Sequence, residues 1–329
     1  MKPDTKPGVW QCAAVLILCR AFLFFCNDLP YTAAHAAGTA AAFLLAAGLL
    51  LPLLPRRSGT EIPAKAEPLL RVLALLWAAR LLASLYTLLE QLSAPRPLFT
   101  AALTVILLTD LIRLPRAAER AAVLMLFVLA AAFLLLPLRT LKTADPVFLS
   151  LPGDSTAAFR RGISGMAELT LLPLLLHKHD AAAAGRGILA WLIAGGILIP
   201  GVILVGTMQN GRLLQWRGNP FFLLLARTPL SDAVRTDGLW IVLAAGCGLL
   251  TLTLFLRTAA VPLRTGRQTV LSPRTAFRAA VLLTASAAFF YLMPAAAEIS
   301  GAVSSGMTVL LLWYAAIRRK DKQTAPDCA

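Results

Sequence analysis

"RRGISGMAELTLLPLLLHK", Arg160 to Lys178, is the stretch whose reading decides the fold. Two arginines open it and a basic cluster closes it, as at the flanks of a membrane crossing. Its second half is a run of Leu, but Gly162, Gly165 and Glu168 interrupt the first half. A carboxylate in hydrocarbon is costly, so it faces the protein interior, pairs, or lines a pathway. The small residues just before it allow close helix approach or local unwinding, and a membrane tolerates unwinding only beside protein or a water-filled cavity. The stretch therefore reads as an interrupted crossing, and its surroundings decide what the interruption does.

Those surroundings are apolar. The 329 residues are 58% hydrophobic and 14% charged, with mean hydropathy +0.75, whereas soluble domains are roughly a quarter charged. Apolar runs long enough to span ~30 Å of hydrocarbon follow one another along most of the chain. They are long and rich in Leu and Ala, unlike the short alternating strands of a barrel. The sequence predicts an all-α polytopic membrane protein with ten transmembrane helices, near 9–27, 32–54, 67–91, 97–113, 117–137, 161–177, 186–206, 236–257, 273–293 and 299–317. The first run lacks a small-residue cleavage site and is taken as a retained helix.

The net charge of +15 would suggest nucleic acid in a soluble protein. Here the lysines and arginines sit in connections beside apolar runs, so the partner implied is the lipid bilayer, with no nucleic acid. With the N-terminus in the cytoplasm, 20 of the 31 Lys and Arg residues fall in or beside cytoplasmic connections and 9 in or beside external ones. Both termini are thus placed on the cytoplasmic side. Cys12, Cys19 and Cys26 recur every seven residues as one stripe on the first helix, a small-residue contact face. No cysteine pair has metal or redox spacing, and His177 and His179 have no matching carboxylates, so neither metal nor cofactor is expected. No nucleophile, base and orienter can be assembled, which argues against an enzyme.

Residues 138–160 form an external loop that separates crossings 1–5 (1–137) from crossings 6–10 (161–317), ahead of a cytoplasmic tail at 318–329. A five-crossing unit repeated in tandem inserts in opposite orientations, which is the parity of an inverted repeat.

Three ionisable residues lie inside crossings. Arg20, in "VLILCRAFLFF", is about seven residues from the outer end of crossing 1, roughly 10 Å deep at 1.5 Å per residue. Glu168 lies at the same depth in crossing 6, so opposite charges share one height on the first helices of the two halves. Arg80, in "LLWAARLLASLY", is deeper, at roughly 17 Å. Each arginine reads either as a structural group bonded to backbone carbonyls or as countercharge for a ligand carboxylate. Glu168 reads as their neutralising partner, a gate, or a proton-coupling acid. Crossing 1 ends in "FFCNDLPY", where Asn27 and Asp28 precede Pro30 as a helix stop. Asp110 and Arg113 read as a surface pair, and Asp237 as an acid favouring the dipole at the start of crossing 8, with Arg235 two residues before it.

These residues resemble a family. "RRGISGMAELTLLPLLL" is similar to the glycine–glutamate signature of the permease-like B subunit of Ger-type spore germinant receptors. "ARTPLSDAVRTDGLWIVLAAGCGLLTLTLFL" resembles its arginine-x-aspartate pair leading into crossing 8, and "PGVWQCAAVLILCRAF", with Gln11, its first crossing. The resemblance implies an APC-superfamily, LeuT-like 5+5 fold with helices 1 and 6 broken around a central site. Gly165 and Glu168 match the crossing-6 motif, with Gly162 just upstream, and Arg235 and Asp237 match the start of crossing 8. Ile163 and Met166 depart from the pattern, and crossing 1 has no glycine at which to break. The resemblance further implies a bacterial cytoplasmic or inner spore membrane as location, an amino-acid-like nutrient as ligand, and germinant receptor A and C subunits as partners. An ion-coupled amino-acid transporter on the same fold and a non-transporting membrane scaffold are the alternatives.

Overall fold

The computed structural model describes residues 9–26, 31–53, 66–91, 115–140, 144–173, 175, 181–210, 221, 237–260 and 273–324. Crossing 4, Asn27, Asp28, Asp110, Arg235, His177 and His179 lie outside the described residues.

Every regular element among the described residues is helical. In chain order they are α1 (Val9–Phe25), α2 (Ala33–Leu50), α3 (Glu67–Gln91), α4 (Pro115–Thr140), α5 (Ser155–Ser164), α6 (Ala181–Ile193), α7 (Ile199–Asn210), α8 (Asp237–Ala260), α9 (Pro273–Leu292) and α10 (Pro294–Thr324). In the numbering of the segments expected from the sequence, α1 to α3 correspond to crossings 1 to 3, α4 to 5, α5 to the start of 6, α6 and α7 to 7, and α8 to α10 to 8 to 10. Among the described residues five helical stretches are long and apolar enough to cross a membrane: Ala33–Leu53, Glu67–Leu88, Ala184–Gln209, Trp240–Ala259 and Pro294–Ala315. Their outward side chains are apolar too, with Leu44, Val242, Ile299 and Leu310 each well over half exposed. Water penalises such a surface and lipid does not, so the protein is membrane-embedded.

Two expectations change on contact with the structure. The resemblance implies a broken first helix, but α1 is continuous α-helix from Val9 to Phe25. Its sequence, VWQCAAVLILCRAFLFF, contains neither Gly nor Pro, so nothing competes with the i to i−4 ladder. The 138–160 segment is not loop throughout. The α4 helix runs to Thr140, a 3₁₀ turn covers Pro146–Ser150, and α5 begins at Ser155. Both new starts carry side-chain caps: Asp145 accepts from the Val147 amide, and Asp154 accepts from the Thr156 and Ala157 amides. The hydrogen bonds from the Thr156 hydroxyl and the Ala157 amide hold the Asp154 carboxyl below the usual aspartate range. Its capping is therefore complete above that range and is lost as pH falls through the lowered value.

Crossing 6 breaks after one short helix. The α5 helix ends at Gly165, Met166 is non-helical, and a 3₁₀ turn spans Ala167–Leu171. Gly165 lies at φ −94°, ψ 9°, a conformation open to any residue, so its value is spatial. A Cβ there would stand 2.9 Å from the Arg161 carbonyl oxygen. Helix resumes at Leu172 and Pro173, where the proline sits in a first turn whose N–H needs no helical partner.

The core is built round α1, whose residues are buried on nearly every side. It packs against α4, α6 and α8, while α2 packs against α5 and α7, α3 against α8 and α9, and α10 against α5 and the 3₁₀ turn. Small residues set the closest of these contacts. Gly38 and Ala42 on α2 face Ala158 and Gly162 on α5; a Cβ on Gly38 would be 2.4 Å from the Ser155 carbonyl oxygen, and one on Gly162 2.7 Å from the Ala42 Cβ. With spacing of four on both helices, this is the small-xxx-small packing by which backbones approach in lipid. It fixes the half-helix α5, and hence the break, against α2.

Candidate functional site

The break in crossing 6 leaves the last carbonyls of α5 without helical partners, a cost of several kcal/mol each in hydrocarbon. The two intramembrane arginines meet that need. Arg80 Nη1 donates to the Ser164 carbonyl at 2.6 Å, and Arg20 Nη2 donates to the Gly165 carbonyl at 3.2 Å. Arg161 O accepts from the Gly165 amide at 2.9 Å. Two guanidinium groups at a helix C-terminus also offset the negative end of its dipole. Both arginines therefore bond backbone carbonyls, and they do so at the interruption.

Arg20 does more. Its Nε donates to Glu168 Oε1 at 2.6 Å and its Nη2 pairs with the same oxygen. The Trp191 indole N–H donates to Oε1 at 2.8 Å, and the Cys19 thiol lies 3.9 Å from Oε2. Glu168 is 0% exposed and Arg20 7%. The ion pair thus ties α1 to the turn after the break, with Trp191 of α6 as a third anchor. The Phe43 ring closes the back, 4.7 Å from Arg20 Cζ and 5.2 Å from the Trp191 ring. Phe43 fits because a π-helical segment, Ala194–Leu198, turns Gly195 toward it; a Cβ on Gly195 would stand 2.0 Å from the ring.

Arg80 sits on the other side of the break, with Cζ 4.9 Å from the Trp77 ring. The α10 helix reaches it through Gly301, where a Cβ would be 1.5 Å from Arg80 Nη1 and 2.3 Å from the Ser164 carbonyl oxygen. Along the same helix Ser305 donates to the Met166 carbonyl at 3.4 Å, and the hydroxyls of Thr308 and Thr170 are 3.3 Å apart. These hydroxyls give the non-helical turn partners within the membrane.

In front of the break lies a cavity of about 280 Å³. Arg20, Arg80 and Arg161 line it, with Gly162 and Gly165 in its wall. Phe24, Ile203 and Phe290 give it apolar sides, and Arg161 pairs with Glu298 across it at 3.1 Å.

Of the residues singled out from the sequence, Arg20, Arg80, Gly162, Gly165 and Glu168 come together here. Glu168 does not line the cavity and stands sealed behind Arg20. Asp237 is the first residue of α8. Cys12 packs at Gly187 of α6, Cys19 reaches Glu168 and Cys26 lines the cavity, so the cysteine stripe serves three different contacts. Sequence reading missed Trp191, Phe43, Gly301, Arg161 and Glu298. A tryptophan inside an apolar run was the available signal, because a buried indole N–H needs an acceptor.

The site defines a class: a membrane-embedded helical protein in which the helix Ser155–Ser164 breaks off beside a basic cavity. No protein-family model matches the chain, and no curated protein matches it.

Proposed function

We propose that the chain is a permease-like membrane protein that binds a small carboxylate-bearing nutrient in the cavity before the break. On the sequence resemblance, it serves as the B subunit of a spore germinant receptor, working with A and C subunits to pass occupancy on as a germination signal. The observation that carries the reading is Arg80. It reaches into a cavity within the membrane, keeps guanidinium donors beyond its one bond to Ser164, and stands at an unwound turn. Membrane proteins keep unwound backbone and interior charge where a substrate or ion is handled.

Packing supports the 5+5 architecture that belongs to this reading. Exchange each crossing n with n+5 and the helix contacts map onto one another. Crossing 1 packs on 7 as crossing 6 packs on 2, and 1 on 5 as 6 on 10. Crossing 1 packs on 8 as 6 packs on 3, and 8 on 5 as 3 on 10, while the pairs 2 with 7 and 3 with 8 exchange with themselves. A pseudo-two-fold axis in the membrane plane would produce this pattern; ten crossings would put both termini on one side, and the charge bias favours the cytoplasmic one. The halves differ at their first helices, since α1 is continuous and crossing 6 is not.

In these terms Arg20 and Glu168 hold the turn in shape, and Arg80 is the group that meets ligand. Equilibrium dialysis of radiolabelled candidate nutrients against the purified full chain is expected to give saturable binding that Arg80→Gln lowers at least about tenfold. Equal binding by the variant contradicts the reading. Reconstituted into liposomes, a receptor subunit binds without concentrating the nutrient; accumulation driven by an ion gradient would assign the chain to the transporters instead.

A further inference from the structure

The charges around the cavity say what kind of ligand it takes, given the reading of that cavity as a ligand site. Three arginines and, among the described lining residues, one carboxylate face it. Arg20 is matched by Glu168 and Arg161 by Glu298. Arg80 makes no ion pair among the described residues. It uses one of its five N–H donors on Ser164, so a planar fork remains for a carboxylate.

An ammonium group finds nothing comparable. Glu168 is 0% exposed, and its Oε1 already takes Arg20 and Trp191. Glu298 gives Oε1 to Arg161 and is half exposed, so its charge is shared with that arginine and screened by solvent. An unwound turn ordinarily offers free carbonyls to a cation, but here the Ser164 carbonyl takes Arg80, the Gly165 carbonyl takes Arg20 and the Ala167 amide, and the Arg161 carbonyl takes the Gly165 amide and the Ser164 hydroxyl. Burying an ammonium without such partners carries a large desolvation penalty, and Arg80 adds like-charge repulsion. The remaining walls, Leu23, Phe24, Ile199, Ile203 and Phe290, suit an apolar tail.

We infer that the cavity is selective for a small organic monoanion without an ammonium group, a monocarboxylate with an apolar tail, over the corresponding zwitterionic amino acid. Its carboxylate forks onto Arg80 and its tail lies against the Phe24 and Phe290 side.

Isothermal titration of the purified full chain in detergent tests this with matched probes: propionate and 3-phenylpropionate, alanine and phenylalanine, ethylamine and phenethylamine. Within each set the acid is expected to bind at least about tenfold more tightly than the amino acid, and the amine not measurably. Arg80→Lys, which keeps the charge and loses the fork, is expected to weaken the acids several-fold while the protein stays folded, and Arg80→Gln to abolish their binding. An amino acid binding as tightly as its deaminated partner, with the same loss in Arg80→Gln, overturns the selectivity and leaves the cavity a ligand site. No binding by any probe, or acid binding indifferent to Arg80, overturns both.

Discussion

Replacing Glu168 with leucine is expected to cost about 3–5 kcal/mol of folding stability, the loss typical of a buried ion pair deprived of one member. The reason is positional. Arg20 is 7% exposed, and among the described residues its guanidinium has one further acceptor, the Gly165 carbonyl. Without Glu168 it keeps a nearly buried charge that has lost its counter-ion, and Trp191 loses the acceptor of its indole N–H. The double variant Arg20→Met, Glu168→Leu removes the stranded charge and is expected to recover most of the loss, because apolar replacements of buried pairs are often neutral. Glu168→Gln falls between, since an amide oxygen still accepts from Arg20 and Trp191. Thermal unfolding in detergent reads all three. A leucine variant that melts with the wild type, or a double variant no better than the single, contradicts the pairing.

The second large effect is at Gly301. Alanine there places a Cβ 1.5 Å from Arg80 Nη1 and 2.3 Å from the Ser164 carbonyl oxygen. The guanidinium can swing away, but the carbonyl belongs to the backbone that ends α5, and α10 must retreat from it. The expected cost is about 1–3 kcal/mol in stability, typical of overpacking, together with loss of ligand binding through displaced Arg80. Adding Arg80→Ala frees the first clash and leaves the second, so the double variant is expected to remain destabilised relative to Arg80→Ala alone. Full recovery in that comparison would show that the backbone approach is not as close as described.

Much of this was legible in the sequence because hydrocarbon makes few exceptions. Runs of Leu and Ala had to be helices, and charged residues inside them had to find interior partners; equal depth on crossings 1 and 6 was enough to bring Arg20 and Glu168 to mind as neighbours. Gly162 and Gly165 could mark either an interruption or a packing face, and Gly162 serves the packing against α2 while Gly165 ends the helix. What escaped was three-dimensional. Nothing local says that Gly301, nearly 140 residues on, makes room for Arg80, or that Gly195 does so for Phe43. The 138–160 segment read as loop from its prolines, while the Asp145 and Asp154 caps start helical turns within it. The expected break in helix 1 came from likeness alone, and the residues of Val9–Phe25 give no reason for one.

The central claim is a wet, electropositive hollow inside the membrane in front of the broken helix, and thiol chemistry probes it directly. Ser84 on α3 lines the cavity and Leu44 on α2 faces outward. In proteoliposomes carrying Ser84→Cys, a membrane-impermeant anionic methanethiosulfonate is expected to react above the wild-type background and faster than its cationic analogue, with the preference abolished by Arg80→Gln; Leu44→Cys is expected to react with neither. Absence of labelling at Ser84→Cys, or faster reaction with the cationic reagent, would contradict it.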